Sequence, residues 1–415
     1  MSVPANILQQ VITYQESGLA AAVNFSAFVK TSNTKFKNFN SIEANLGDTV
    51  SFDLVPRFTT QNSLVVSFES SVQRVQNLTV DQQISTAFAF TAQQFIFNVE
   101  DYMQKFGRSA IAEIGANIEA NVAQNAVTNT YRFYGNGVTP INSYNDLATA
   151  LAFFRTYGVP KGEAKGYILD TSVPQVVTSG LAQFAPSRND DIAMSWELGN
   201  FSNCEWYTSN LLATHTAGTE GDAGSTLTVV SVTKNADGGV ISITFSGTDG
   251  ASDSNSVKQY DKFQFVDNVS GQPNMRFLTF VGHKPSTAKV QFQSTADAAS
   301  TGGSQVTVLV NPPLQAAAGK NQNINNEIAA GMQCQVLPSH RAGLLTAGNP
   351  LYLAMPRLPD EVPFPTANAS DPDTGVSIRQ YFGSQFGQNA RGMVYDAIWG
   401  STLVAEDSMA LIYPL

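Results

Sequence analysis

The sequence predicts an α+β protein with an all-β module inserted into it, and three observations carry that expectation. From about Gly218 to Asn311, short alternating runs separated by Asn, Asp and Gly clusters replace every other pattern. Before that stretch, helical periodicity and short apolar runs are mixed, in the order helix, strand, helix across residues 146–184. After it, apolar strand-like runs return at 328–338, 349–359, 376–383 and 390–415, available to sheets begun before residue 200. A β domain in tandem is the plainer alternative. Insertion is preferred because the two flanks read as halves of one domain.

Residues 1–45 read as an arm. Ile7, Leu8, Val11 and Ile12 share one side of a possible short helix, and Phe25, Phe28, Phe36 and Phe39 follow without a sustained period. These aromatics need burial, either on a neighbouring subunit or along their own domain. In GDTVSFDLVPRF (47–58), Val50, Phe52 and Leu54 alternate with polar residues and Pro56 ends the run, which predicts a strand. LVVSFES (64–70) predicts its partner, so residues 46–79 form a long two-stranded loop. An apolar hairpin built from Val50, Phe52, Leu54, Val65, Val66 and Phe68 is an aggregation hazard unless something covers it. Residues 71–80 and 84–90 predict a further strand pair, with Ile84, Thr86, Phe88 and Phe90 on one face.

Asn98 predicts the cap of a short helix ended by Gly107, and Ser109 the cap of a long one over 109–127. Ile111, Ile114, Ile118, Val122 and Ala126 recur at helical steps, while Glu113, Asn117, Glu119, Asn121 and Gln124 fall off that line. Ser143 or Asn145 then caps a helix at 146–158 whose buried side carries Leu147, Leu151 and Phe154. Residues 166–184 read as strand, turn and short helix. The inserted stretch holds about six strands in roughly 95 residues, the scale of a small barrel or sandwich. Near the end, Val394, Ala397, Ile398 and Trp399 fit a strand buried on both faces.

A chain of 415 residues that is 43% hydrophobic supports two or three cores. Its net charge of −10 argues against a dedicated nucleic-acid reader, and its low charged content of 13% suits a surface buried against copies of itself. Two isolated cysteines, Cys204 and Cys334, build neither a disulfide framework nor a thiolate metal site. The opening MSVPANILQQ has no charged region followed by an apolar one, so no secretion signal is expected, and no apolar run reaches the ~20 residues that span a bilayer.

The sequence carries no recognised catalytic pattern. His215, His283 and His340 lie about sixty residues apart with no paired-ligand spacing. There is no nucleophile elbow, Gly319-Lys320 lacks the rest of a phosphate-binding loop, and Gly383 with Gly387 gives no dinucleotide fingerprint. DPDTG (371–375) lacks the closing glutamate of a calcium loop and reads as a solvated turn. No enzyme activity, cofactor or metal is expected.

The order of elements, together with GNFSNCEWYTSNLLATHTAGT (199–219), KNQNINNEIAAGM (320–332), HRAGLLTAGNPLYLAMPRLP (340–359) and IRQYFGSQFGQNARGMVYDAIWGSTLVAEDSMALI (378–412), resembles the major capsid proteins of tailed bacteriophages. Within them it is most similar to podovirus-type coat proteins, whose Johnson fold carries an inserted β-barrel. The resemblance implies an arm (1–45), an extended loop (46–79), a peripheral domain (80–144) with its spine helix at 109–127, an axial domain begun at 145–217, an insert at 218–311 and a return over 312–415. It implies a subunit that assembles as hexamers and pentamers in a host bacterial cytoplasm, with a scaffolding protein and a portal as partners. The virion shell would enclose double-stranded DNA touched weakly and without sequence preference. Inter-subunit contact candidates are then Val50, Phe52, Leu54, Val65, Val66, Phe68, Phe25 and Phe28. An encapsulin-type nanocompartment shell and a phage decoration or receptor-binding protein are the alternatives. Removing residues 220–310 is expected to leave a chain that folds but assembles poorly.

Overall fold

The computed structural model describes residues 27–34, 47–54, 57–59, 68, 74–91, 107–158, 164–181, 200–201, 203–248, 252–279, 282–301, 304–359, 366–370, 375–384, 390–404 and 410–414. In chain order its elements begin with α1 (Phe28–Thr31), β1 (Thr49–Leu54), β2 (Arg74–Thr79), β3 (Gln82–Thr91), α2 (Arg108–Thr128), α3 (Tyr144–Arg155), β4 (Ala164–Ile168) and α4 (Val173–Leu181). Next come β5 (Asn200–Phe201), β6 (Cys204–Thr208), β7 (Thr214–His215), α5 (Thr219–Asp222), β8 (Thr226–Lys234), β9 (Val240–Ser246), β10 (Lys262–Phe265), β11 (Arg276–Leu278), β12 (Pro285–Lys289), β13 (Gln291–Ser294) and β14 (Gln305–Leu314). The chain closes with β15 (Gln333–Val336), β16 (His340–Ala347), β17 (Leu351–Ala354), β18 (Thr366–Ser370), β19 (Ser377–Ser384), β20 (Ala390–Leu403) and β21 (Ala410–Pro414). The architecture is α+β, divided into two compact units.

The first unit holds residues 1–53, 75–126 and 349–404. Its sheet is built around β20, which pairs antiparallel with β17, β19 and β3, and β18 extends it beyond β19. Every residue from Tyr395 to Gly400 is buried, so Ala397, Ile398 and Trp399 lie on a strand covered on both faces, and the one charged residue among them, Asp396, is paired with Arg379. Helix α2 braces the sheet. Its Ile111, Ile114, Ile118, Val122 and Ala126 are all buried, and at 21 residues it is about 31 Å long. Asn125 donates to the Ser401 carbonyl at 2.5 Å, and Trp399 donates to Asn121 at 3.3 Å. Ser109, expected as a cap, lies inside the helix.

The strand pairing in this unit departs from the local expectation. β1 pairs with β2, where a partner at 64–70 was predicted; of that segment only Phe68 is among the described residues, and it is not in a strand. β3 pairs with β20, 300 residues away in sequence, and not with 71–80. The end of β2 comes close to β20 at Gly400. A Cβ there would stand 2.0 Å from the Thr79 carbonyl oxygen, so glycine lets the end of β2 cross close over β20. The short helix expected after Asn98 lies outside the described residues.

The second unit holds residues 54–74, 127–348 and 405–415, so residues 127–144, expected with the peripheral domain, group here. Its sheet has the order β21-β16-β4-β6-β5, and β7 pairs with β16. β4 and β6 run parallel, a crossover that includes α4. Ser143 caps α3 by accepting from the Asp146 amide, and Leu147, Leu151 and Phe154 are buried as the periodicity predicts. They pack with Val176, Cys204, Trp206, Leu345 and Tyr413 in one core.

The insert is a closed barrel with strand order β10-β13-β14-β9-β8-β15. Phe245, Phe263 and Phe292 stack inside it, with centroids 5.0 to 6.5 Å apart. The closing strand β15 lies at 333–336, so the limit at 311 is too short by one strand. The β11/β12 hairpin stands apart from the barrel, and its Phe277 and Ala288 belong to the same core as α3 and α4. Arg132 lies between two rings, 3.9 Å from the centroid of Tyr157 and 4.2 Å from that of Phe277. Gln291 on β13 exchanges two bonds with the backbone of Phe133, accepting at 3.1 Å and donating at 2.7 Å. The barrel is therefore interlocked with the α/β core, which argues against the expectation that the rest folds without residues 220–310.

Candidate assembly sites

Three places stand out: the arm, the β1/β2 ribbon and the insert with its neck. The arm is fixed by Glu119. Its carboxylate accepts from the amides of Ala27 at 2.8 Å, Phe28 at 2.9 and 3.1 Å, and Val29 at 3.0 Å. A buried anion at three converging amides satisfies donors that the first turn of a helix leaves open. Glu119 lies off the apolar line of the helix as read from the sequence, yet it is buried, because the arm docks against it. Just beyond, the Asn33 amide donates to the Leu351 carbonyl at 2.7 Å, and Asn33 forms a parallel bridge with Tyr352. Phe28 is 0% exposed within its own chain, so it offers no surface to a neighbour and leaves the list of contact candidates. Phe25 lies outside the described residues.

The ribbon is half covered by its own subunit. Val50 and Phe52 pack on a cluster of Leu78, Val80, Ala354 and Ile398, and the Phe52 ring lies 4.9 Å from that of Tyr352. Leu54 is half-buried. Ser51 donates to Asn77 at 2.9 Å, and at the base the Gly47 amide donates to the Val80 carbonyl at 2.7 Å while the Val80 amide donates to the Asp48 carbonyl at 2.9 Å. Between the two strands, Phe58 is 60% and Phe68 103% exposed. Val65 and Val66 lie outside the described residues. Phe58 was not singled out from the sequence; its position after Pro56, beyond the alternating run, hid it.

The neck is where the chain leaves the α/β sheet and returns to it. β7 and β16 pair antiparallel there, with His215 opposite His340. This pairing of the two flanks is the direct structural sign of insertion. Asp261, fully buried at the start of β10, gathers the neck: Oδ1 lies 2.8 Å from His215 Nε2, and Oδ2 accepts from the Gly218 and Lys258 amides at 3.0 and 2.8 Å. Asp222 accepts from the Ser339 amide at 2.9 Å, and Ser339 Oγ accepts from the Ala217 amide at 2.8 Å. The sequence showed His215 and His340 as isolated; their meeting depends on the return of the chain over a hundred residues later.

Both cysteines are buried. Burial pushes the Cys204 thiol up to about 12 and Cys334 well above its ordinary value, so neither supplies a thiolate near neutral pH. Among the described residues, no three His, Cys, Asp or Glu side chains are placed to hold a metal ion. Nor is any described helix long and apolar enough to cross a membrane.

No family model and no curated protein matches the sequence. Solved structures do resemble the chain. A structure from Mycobacterium phage Che8 is 8% identical and covers 94% of this chain and 90% of its own, with a TM-score of 0.47. The capsid of Ralstonia phage GP4 is 8% identical over 93% and 87%, with a TM-score of 0.44. The virus-like particle from Pyrococcus furiosus is 7% identical over 96% and 98%, with a TM-score of 0.36. Phage capsid structures stand among its neighbours. At these scores and identities no residue role is carried across from them.

Proposed function

We propose that the chain is the coat subunit of a self-assembled shell with the Johnson fold, the head of a tailed bacteriophage. The observation that carries this reading is the connectivity. An arm docked on a long helix, an open ribbon, a sheet around a 14-residue strand, and a second sheet interrupted by a barrel follow one another in the order set out from the sequence. Subunits meet as hexamers and pentamers through many weak repeated contacts, which become cooperative once several neighbours engage. A scaffolding protein and a portal act as partners. The acidic chain encloses double-stranded DNA without gripping it.

Electron microscopy of the purified protein, with and without co-expressed scaffold, tests this reading. Closed shells with hexameric and pentameric units support it. A monomer that forms no shell under either condition contradicts it, and shells loaded with an enzyme in place of nucleic acid would make it a nanocompartment.

A further inference from the structure

The neck of the insert holds four buried titratable side chains: His215, Asp261, Lys262 and His340, none more than 8% exposed. Asp261 is their hub. Its two oxygens take hydrogens from the outgoing strand at His215 and Gly218 and from the barrel at Lys258. Gly218 fits only because it lacks a side chain, since a Cβ there would lie 2.5 Å from the Ser256 carbonyl oxygen.

His340 faces His215 from the returning strand, with ring centroids 5.9 Å apart. Its Nδ1 lies 2.7 Å from the Pro338 carbonyl oxygen. A carbonyl only accepts, so Nδ1 carries the hydrogen and Nε2 is a bare lone pair. Nε2 is buried and has no hydrogen-bond partner. A proton added there finds no acceptor. The charged and titratable groups around it are Lys262, His215 and Asp261; the two bases oppose a second positive charge, and the carboxylate is already engaged.

We propose that the neck is an acid-sensitive clasp: proton uptake at His340 Nε2 separates the outgoing and returning strands and frees the Asp261 hub, while the barrel itself stays folded. The inference is independent of what the chain assembles into. Burial, with Lys262 and His215, holds His340 down at about 4, below the ordinary 6.5. An opened neck, where the ring meets water, takes up the proton more readily. The clasp is thus fully closed above the ordinary value, weakens as pH falls through this window, and weakens no further below about 4. Across the window the ratio of open to closed necks rises by up to roughly 300-fold.

Hydrogen exchange on the full-length protein tests this, with rates corrected for the intrinsic effect of pH. Exchange at the Gly218 and Lys258 amides is expected to quicken at least about tenfold between pH 7 and 4.5. The Ile243 and Phe245 amides inside the barrel keep their protection. His340→Leu, which cannot titrate, is expected to show a flat profile. His340→Gln, which keeps a donor for Pro338, serves as the second variant should the first lose its near-ultraviolet signature at pH 7. A flat wild-type profile, a variant slope equal to that of the wild type, or barrel amides that lose protection in step with the neck would each overturn the proposal.

Discussion

The barrel and the β1/β2 ribbon start from the same local signal, alternating apolar and polar residues, and end in opposite conditions. In the barrel six strands close on themselves, and inward residues such as Ile243, Phe263 and Val308 are wholly buried. In the ribbon two strands pair, the burial of β1 only alternates between exposed and half-buried, and the chain between the strands presents Phe58 and Phe68 to solvent. Closure removes the edges of a sheet, whereas a two-stranded ribbon keeps both and is marginal in water. The barrel completes its own core. The ribbon leaves Phe58 and Phe68 exposed among its described residues.

Perturbations of the two regions should therefore differ in kind. The largest effect is expected from deleting residues 220–310. This takes Phe277, Ala288 and Gln291 away from the α/β core and strands β15 without neighbours, so the shortened chain should show no cooperative urea transition. A soluble product that melts cooperatively would break the claim of an interlocked barrel. Phe292→Ala removes one ring of the stack, which also meets Phe265, and should cost about 3–5 kcal/mol, read as a lower urea midpoint. Glu119→Gln replaces a four-contact anion with a group that points donors at donors. A loss of about 1.5–3 kcal/mol is expected, seen as faster protease cutting of the arm. Phe68→Ser should leave the melting of the subunit within about 0.5 kcal/mol of wild type, since the ring touches nothing that folding needs.

What the sequence made legible was local. The stripe from Ile111 to Ala126, the cap at Ser143 and strands such as Val240–Ser246 follow from periods of 3.6 and 2, which any window of the chain displays. What stayed hidden was pairing at long range. β15 closes the barrel against β8, about a hundred residues earlier, and nothing in QCQV names that partner. β1 pairs with β2, some twenty residues further on, and nothing in the alternation of TVSFDL names that partner. Glu119 looked like an ordinary solvated glutamate because its amide partners lie 90 to 92 residues away. Sequence periodicity reports which face of an element is apolar; it does not report what comes to cover that face.

If the chain assembles as proposed, the ribbon with its exposed Phe58 and Phe68 is the region expected to meet a neighbouring copy. Sedimentation velocity and electron microscopy of wild type and Phe68→Ser, prepared identically, test it most directly. The account predicts shells for the wild type and, for the variant, small species whose melting matches the wild-type subunit. Normal shells from the variant, or no shells from the wild type, would contradict it.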